Sequence, residues 1–285
     1  MNKVVIIVDS TCDLPKEVVE EKGIVIVPLT VNFPDATYYD GVDITTDKLY
    51  ELVAKKNILP KTAAITLGEI YNVFEKYINL GYDIIYTGIS SHMSKSYENA
   101  VMMSKEFEEG RIEVVDSGNL STGIGLQVLK ACELVEKQMD RAQIESEINR
   151  IIPFVRASFV VDTLTYLHRG GRCSATAAFF GNALKLKPKI VVENGKMDAA
   201  NKYRGLAKKV ILNYVKDMEE KIKTADPSRI FITHSGCEQE IVDSVYNYLK
   251  EMNYFKEIYI TRAGGVISSH CGYGTLGVLF IEKDK

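Results

Sequence analysis

The sequence has no CxxC pair, no HxxxH or HExxH spacing and no apolar run as long as a membrane span. The five cysteines, Cys12, Cys132, Cys173, Cys237 and Cys271, are scattered and odd in number. That argues against a disulfide framework and a structural zinc site, and points to a reducing, cytoplasmic compartment. Four histidines without ligand spacing give no reason to expect a metal. G-x-x-x-x-G-K-[ST] and G-x-S-x-G are missing, and no G-x-G-x-x-G follows the first strand. The usual ATP-binding, hydrolase and dinucleotide signatures are therefore excluded. MNKVVIIVDS has too short an apolar run for a signal peptide, and no segment is expected to insert in a membrane. A net charge of −3 over 285 residues gives no global basic footprint, so no nucleic-acid partner is expected.

What the sequence does contain is an alternation of apolar runs and helical patterns. VVIIV, YDIIYTGI and RIEVV read as buried strands, and the segments between them as helices. Asp13 and Pro15 predict a helix start, with Gly23 as its stop. GIVIVPLTV reads as a second strand. Thr46 is placed to cap a helix through Val53. Thr66 and Glu69 form a capping box, and Ile70, Val73, Phe74, Tyr77 and Ile78 then fall on one face. After SFVVD the order is less regular. SATAAFFGNAL reads as helical, Asn194-Gly195 as a hairpin, and Gly205 to Lys223 as one helix.

The pattern predicts an α/β protein of two domains. An N-terminal three-layer α/β/α domain with a mainly parallel sheet spans 1–156, and a C-terminal α/β domain with a mixed sheet spans 157–285.

Ligands of open α/β sheets sit beyond the carboxyl ends of the strands. Four hydroxyl-rich turns fall there: 9–13, 60–66, 90–96 and 116–123. Helix N-termini with Ser and Thr suit an anionic oxygen ligand, such as a carboxylate or a phosphate. Singly, each hydroxyl reads as a helix cap before a ligand contact; four at one sheet edge point to a pocket. The tetrapeptide ISSH occurs at 89–92 and again at 267–270, the second time in the glycine-rich stretch GGVISSHCGYGTLG. HRGGRCS (168–174) places two arginines around a Gly-Gly pair, and Lys202 and Arg204 add further positive charge.

Taken together, VDSTCDLP (8–15), KTAAIT (61–66), ISSHMSKSYENA (89–100), VVDSGNLSTGIG (114–125), TLTYLHRGGRCS (163–174), GKMDAANKYRG (195–205) and SHCGYGTLG (269–277) resemble the DegV family over nearly the whole chain. The resemblance implies a two-domain bacterial protein that binds a long-chain fatty acid, its tail buried in the second domain and its carboxylate at the crevice. Some members are the binding subunit of a bacterial fatty acid kinase and present the carboxylate to a separate kinase chain. The resemblance therefore implies no catalytic residue and no cofactor here, only a lipid ligand and a kinase partner.

By motif, Thr62 corresponds to the threonine of the family's K-T-S-x-P-S turn, and Ser94 to the serine of its S-S-x-L-S-G-T-Y turn. Both would hydrogen-bond the carboxylate, with Ser91 from the same turn as a further candidate. His270 would lie near the head group, and Arg172 and Arg204 would face the kinase or neutralise the acid. Ala63, Ile65, Lys95 and Ser96 depart from the family pattern. The apolar stretch 175–192 is the expected tail wall. Two other readings stand beside this one. One is an enzyme acting on a small phosphorylated or carboxylated substrate, with His234 or His270 as base. The other is an interaction module built on the Arg172 surface.

Overall fold

The computed structural model describes residues 3–173 and 186–283. β1 (Lys3–Asp9) leads through α1 (Lys16–Lys22) to β2 (Val25–Val27). With β6 (Tyr82–Gly88) and β7 (Ile112–Asp116) they form a parallel sheet ordered β2-β1-β6-β7. Side chains alternate along each strand, and both faces of this sheet are buried. On one face, α3 (Leu67–Asn79) and α4 (Ser96–Ser104) bring Ile70, Phe74 and Ala100 onto Val5, Ile7, Ile84 and Tyr86. On the other, α5 (Thr122–Glu136) and α6 (Arg141–Ile151) bring Ile124, Val128, Ile144 and Ile148 onto Ile6, Val8, Ile85 and Val115. The three-layer first domain is as expected, and the capping box joins Thr66 to Glu69 at the start of α3.

The second half forms a mixed sheet. Its strands are β8 (Val155–Val160), β9 (Leu186–Glu193), β10 (Lys196–Arg204), β11 (Arg229–His234), β12 (Glu257–Arg262) and β13 (Leu276–Ile281). They are ordered β10-β9-β8-β13-β11-β12, and only the β11–β12 pair is parallel. Asn194 and Gly195 make the expected hairpin, with φ of 49° and 75°. After α7 (Thr165–Gly170), α8 (Ala207–Lys216) and α10 (Gln239–Glu251) cover one face of this sheet, with the short α9 (Glu219–Ile222) between them. The opposite face sends Ala157, Phe159, Phe231 and Leu279 into the same core as Ile124 and Leu129 of α5. Placed between two sheets, α5 is buried over most of its surface, and its charged residues Lys130, Glu133 and Glu136 are confined to one edge, where they pair with one another and with Arg229 and Lys22.

Several expectations change. GIVIVPLTV is two strands. Pro28 has no N–H for a ladder, so the chain leaves the parallel sheet after Val27. It then starts β3 (Thr30–Phe33), in a small antiparallel sheet ordered β4-β3-β5 with β4 (Ala36–Tyr39) and β5 (Lys61–Ala63). The turn at 60–66 is therefore partly strand, with Thr62 opposite Val31.

Pro15, not Asp13, caps α1, because the Asp13 side chain bonds elsewhere. Thr45, not Thr46, caps α2 (Thr46–Lys56). The single helix expected over Gly205 to Lys223 is α8 and α9, which separate at Asp217 and Met218. TYLHRG, after the strand SFVVD, forms α7. The segment read as a glycine-rich loop contains α11 (Gly265–Cys271). The helix expected at SATAAFFGNAL, and the first part of the tail wall, lie outside the described residues.

α11 follows the last parallel strand of the second sheet, yet its Val266 packs in the core of the first domain with Val31, Ile44 and Leu49. Val266 is 2% exposed. Val266→Ala removes two buried methyl groups, and should lower the unfolding free energy by about 2 kcal/mol. Urea denaturation with an unchanged slope checks this. A loss close to zero would mean that α11 is not keyed into that core.

Candidate ligand-binding site

The carboxyl ends of β1, β6 and β7 converge at one rim, and α11 is inserted there. Its amino end is held by two carboxylates from the first domain. Asp13 Oδ1 accepts the amide of Gly264 at 2.8 Å, and Asp40 Oδ1 accepts that of Gly265 at 2.6 Å. The other Asp13 oxygen accepts the Ser121 hydroxyl at 2.5 Å, and the other Asp40 oxygen accepts that of Ser10 at 3.0 Å. Ser121 sits at φ 53°, ψ −143°, a conformation costly for a side-chain-bearing residue and fixed here by Asp13.

Asp9 lies nearby and accepts the amide of Ile89 at 2.8 Å and that of Thr11 at 3.0 Å. Among the described residues no lysine or arginine pairs with these three acids. Burial pushes their carboxyls up, Asp9 to about 6, and the hydrogen bonds pull the other way.

At the far end of α11, His270 Nε2 lies 2.8 Å from Thr62 Oγ1. β5 presents Thr62 because its register on β3 places it opposite the fully buried Val31. The imidazole is largely buried. Desolvation, aided by the Arg172 guanidinium, pushes its pKa down to about 4, so it is neutral at pH 7. Its Nδ1 is buried without a hydrogen-bond partner. A bare ring nitrogen costs less there than an unsatisfied N–H. The hydrogen therefore belongs on Nε2, which donates to Thr62 and leaves the threonine hydroxyl free to donate onward.

Around this pair lies a cavity of about 40 Å³. Ser94 and Arg172 line it with Met93, Ile89, Ile267 and others. Ser94 Oγ lies 3.1 Å from Ser96 Oγ. The Arg172 side chain is exposed, and is steered by the carbonyls of Gly170 at 2.6 Å and Met93 at 3.3 Å.

A second cavity of about 30 Å³ lies between α11 and the mixed sheet. Leu120, Ile267 and Cys271 line both cavities and form the wall between them. Phe159, Leu279 and Gly277 make its apolar floor, and Thr233, His234 and Ser235 its rim. A larger open cleft, about 670 Å³, lies elsewhere and carries charges of both signs, including Arg156, Lys189, Glu193 and Asp217.

Of the residues singled out in the sequence, Thr62, Ser94, Arg172 and His270 come together. Ser91 does not line that cavity: its hydroxyl and amide both bond Asp116. Arg204 is exposed at the end of the edge strand β10. Lys95 pairs with Glu98 at 2.7 Å and is mostly exposed. Ser268 bonds the carbonyl of Ala263, just ahead of the N-cap Gly264, and Ser269 that of Gly265 in the first turn of α11. The first ISSH holds its own turn and the hairpin, through Ser90 to the Gly195 carbonyl at 2.8 Å. Asp13 is the second acid of the DSTCD turn, but the turn itself does not reveal its role at α11, and Asp40 lies in no motif; the paired Gly264-Gly265 ahead of an apolar stretch is the other available signal. Among the described residues no cluster of His, Cys, Asp or Glu could hold a metal ion.

A two-domain α/β protein with a small polar pocket, divided from a small apolar cavity by Leu120, Ile267 and Cys271, is what the fold and site define. A family model described as "Uncharacterised protein, DegV family" matches residues 3–283, and the chain belongs to the DegV family. A DegV domain-containing protein of Clostridium acetobutylicum is 34% identical, over 99% of this chain and 100% of the relative. Among solved structures, a fatty-acid-binding DegV family protein from Thermus thermophilus superposes with a TM-score of 0.92 at 29% identity, covering 99% of this chain and 100% of its own. DegV of Bacillus subtilis, a fatty acid binding protein, gives 0.87 at 30% identity, with 99% and 100% covered. A stearic acid-binding protein from Eubacterium ventriosum gives 0.86 at 26% identity, with 99% of each chain covered.

The lowered pKa of His270 has a measurable consequence. A histidine whose folded pKa lies below its unfolded value takes up its proton more readily once unfolded, so it destabilises the fold as pH falls from about 6.5 to about 4. Asp9, with its raised pKa, acts oppositely: its contribution is present at low pH and is lost as pH rises through about 6. The two oppose each other in the wild type. His270→Asn removes one of them, and between pH 7 and 4.5 the variant should gain on the order of 2 kcal/mol relative to wild type. Urea unfolding at the two pH values measures this. Parallel profiles would show that the imidazole is not held neutral by burial.

Proposed function

We propose that this protein binds a long-chain fatty acid, carboxylate at the Thr62–His270 pocket and tail in the compartment beneath the mixed sheet. The observation that carries this reading is the 2.8 Å contact between Thr62 and His270 at a cavity that shares three lining residues, Leu120, Ile267 and Cys271, with a second, apolar one. Thr62 and Ser94 hydroxyls donate to the carboxylate, and the neutral imidazole fixes Thr62 in the donating orientation. Arg172 at the rim supplies the counter-charge. Charge-assisted bonds of this kind limit the desolvation loss of the acid group.

The tail supplies affinity. Each buried methylene contributes about 0.8 kcal/mol, so a long chain gains on the order of 10 kcal/mol before association costs. The two cavities are far smaller than the roughly 300–1,000 Å³ of small-molecule sites. Admitting the chain therefore requires Leu120, Ile267 and Cys271 to part. The division between the domains is placed near Arg156, so the tail lies mainly against the second domain.

The similarity to proteins described as binding fatty acids supports this reading. A carrier role, with a separate kinase chain converting the exposed carboxylate to an acyl-phosphate, accords with the missing nucleotide motifs and with the exposure of Arg172 and Arg204. A cytoplasmic location accords with five free cysteines, and no helix among the described residues is long and apolar enough to cross a membrane. Acid–base catalysis by His234 or His270 fits less well. Both imidazoles sit near pKa 4, well below the value suited to a base at neutral pH.

The test compares an acid with its alcohol. The delipidated protein should bind hexadecanoic acid, and Thr62→Val should weaken that binding about 10- to 100-fold, the effect of one hydrogen bond to a charged group. Binding of 1-hexadecanol should change less than about threefold, because the tail contacts remain. Titration calorimetry reads both. Wild-type protein that ignores the acid would overturn the reading.

A further inference from the structure

The sequence pairs two glycines, Gly170 and Gly171, for different reasons. Gly171 ends α7 in the left-handed conformation, φ 67°, its amide bonding the carbonyls of His168 and Leu167. A Cβ there would meet nothing within 4 Å. Its glycine is required by the backbone. Gly170 is the reverse. Its φ is not in the left-handed region, yet a Cβ would lie 2.2 Å from His270 Nδ1, 3.0 Å from Cε1 and 3.3 Å from Cγ. Its glycine is required by the space that the imidazole occupies. The carbonyl of the same residue accepts Nη1 of Arg172 at 2.6 Å. One residue thus touches both basic side chains of the pocket.

We propose that Gly170 is a positioning residue: the missing side chain lets His270 lie against the end of α7 with Nε2 on Thr62, and its carbonyl steers Arg172 to the rim. The inference rests on the acid-binding reading for its purpose, but the placement of the ring is independent of any ligand. An alanine at 170 forces the ring to turn from Thr62, because Asp13 and Asp40 hold the amino end of α11 and the Gly171 amide closes the end of α7. The Thr62 hydroxyl then loses its oriented partner, and the pocket loses its preference for an acid over an alcohol.

Gly170→Ala should weaken hexadecanoic acid binding at least about tenfold, the scale of one lost charge-assisted hydrogen bond, and leave 1-hexadecanol within about threefold. Gly171→Ala, strained in its backbone but clear of the ring, should lower the unfolding midpoint and keep the acid-to-alcohol preference. In a His270→Ala background, Gly170→Ala should cost nothing further, since there is no ring to displace.

In the ligand-free protein, imidazole NMR should show His270 titrating near 4 in wild type and closer to the ordinary value of about 6.5 in Gly170→Ala. Should Gly170→Ala fail to fold, the double variant with His270→Ala should fold. A double variant that stays unfolded would contradict the proposal. So would an unchanged acid-to-alcohol ratio, an additive loss in the double variant, or an unmoved His270 titration. If the wild type itself shows no preference for the acid, the functional reading fails, and the imidazole titration alone judges Gly170.

Discussion

Two buried carboxylates from the first domain hold the amino end of a helix that belongs, by sequence, to the second. Asp13 and Asp40 each take an amide at the start of α11, and among the described residues no lysine or arginine pairs with either. Such acids are costly to bury and are tolerated here because hydrogen bonds meet them on both oxygens. Everything else about the site follows from where this places α11. Val266 enters the first core, Ile267 faces the shared core, and His270 arrives beside Thr62.

The result is a pocket with a polar end and a greasy end separated by one helix. The polar end uses hydroxyls and a neutral imidazole rather than a buried cation. Such a polar end avoids the desolvation cost of a fully enclosed ion pair. The single guanidinium sits outside, at the rim, tied to backbone carbonyls. The apolar end borrows its surface from the mixed sheet. It lies where Ile267 and Cys271 of α11 face that sheet.

Much of the scaffold was legible in the sequence. The buried strands announced themselves as apolar runs, the Thr66–Glu69 box marked a real helix start, and Asn194-Gly195 turned where expected. These are local signals, and local chemistry decides them. α11 was not legible as a helix. Gly265, Ser268 and Ser269 are poor helix formers, and the caps that hold it come from residues more than two hundred positions away. Ser91 appeared equivalent to Ser94 in the turn, but Asp116 holds its hydroxyl, a pairing only the β6–β7 register creates. Thr62 and His270 could be placed together from sequence only by resemblance to a family. Their spacing along the chain carries no trace of the contact.

The central claim is that the wall between the two cavities is the path of an acyl chain. A crystal structure of the protein with octadecanoic acid bound tests it most directly. The carboxylate should lie within hydrogen-bonding distance of Thr62 Oγ1, with the chain passing Leu120 and Ile267 toward Phe159 and Leu279. An acid found instead in the open cleft beside Arg156 and Lys189, or with its chain leaving the Thr62 pocket toward solvent, would contradict the account.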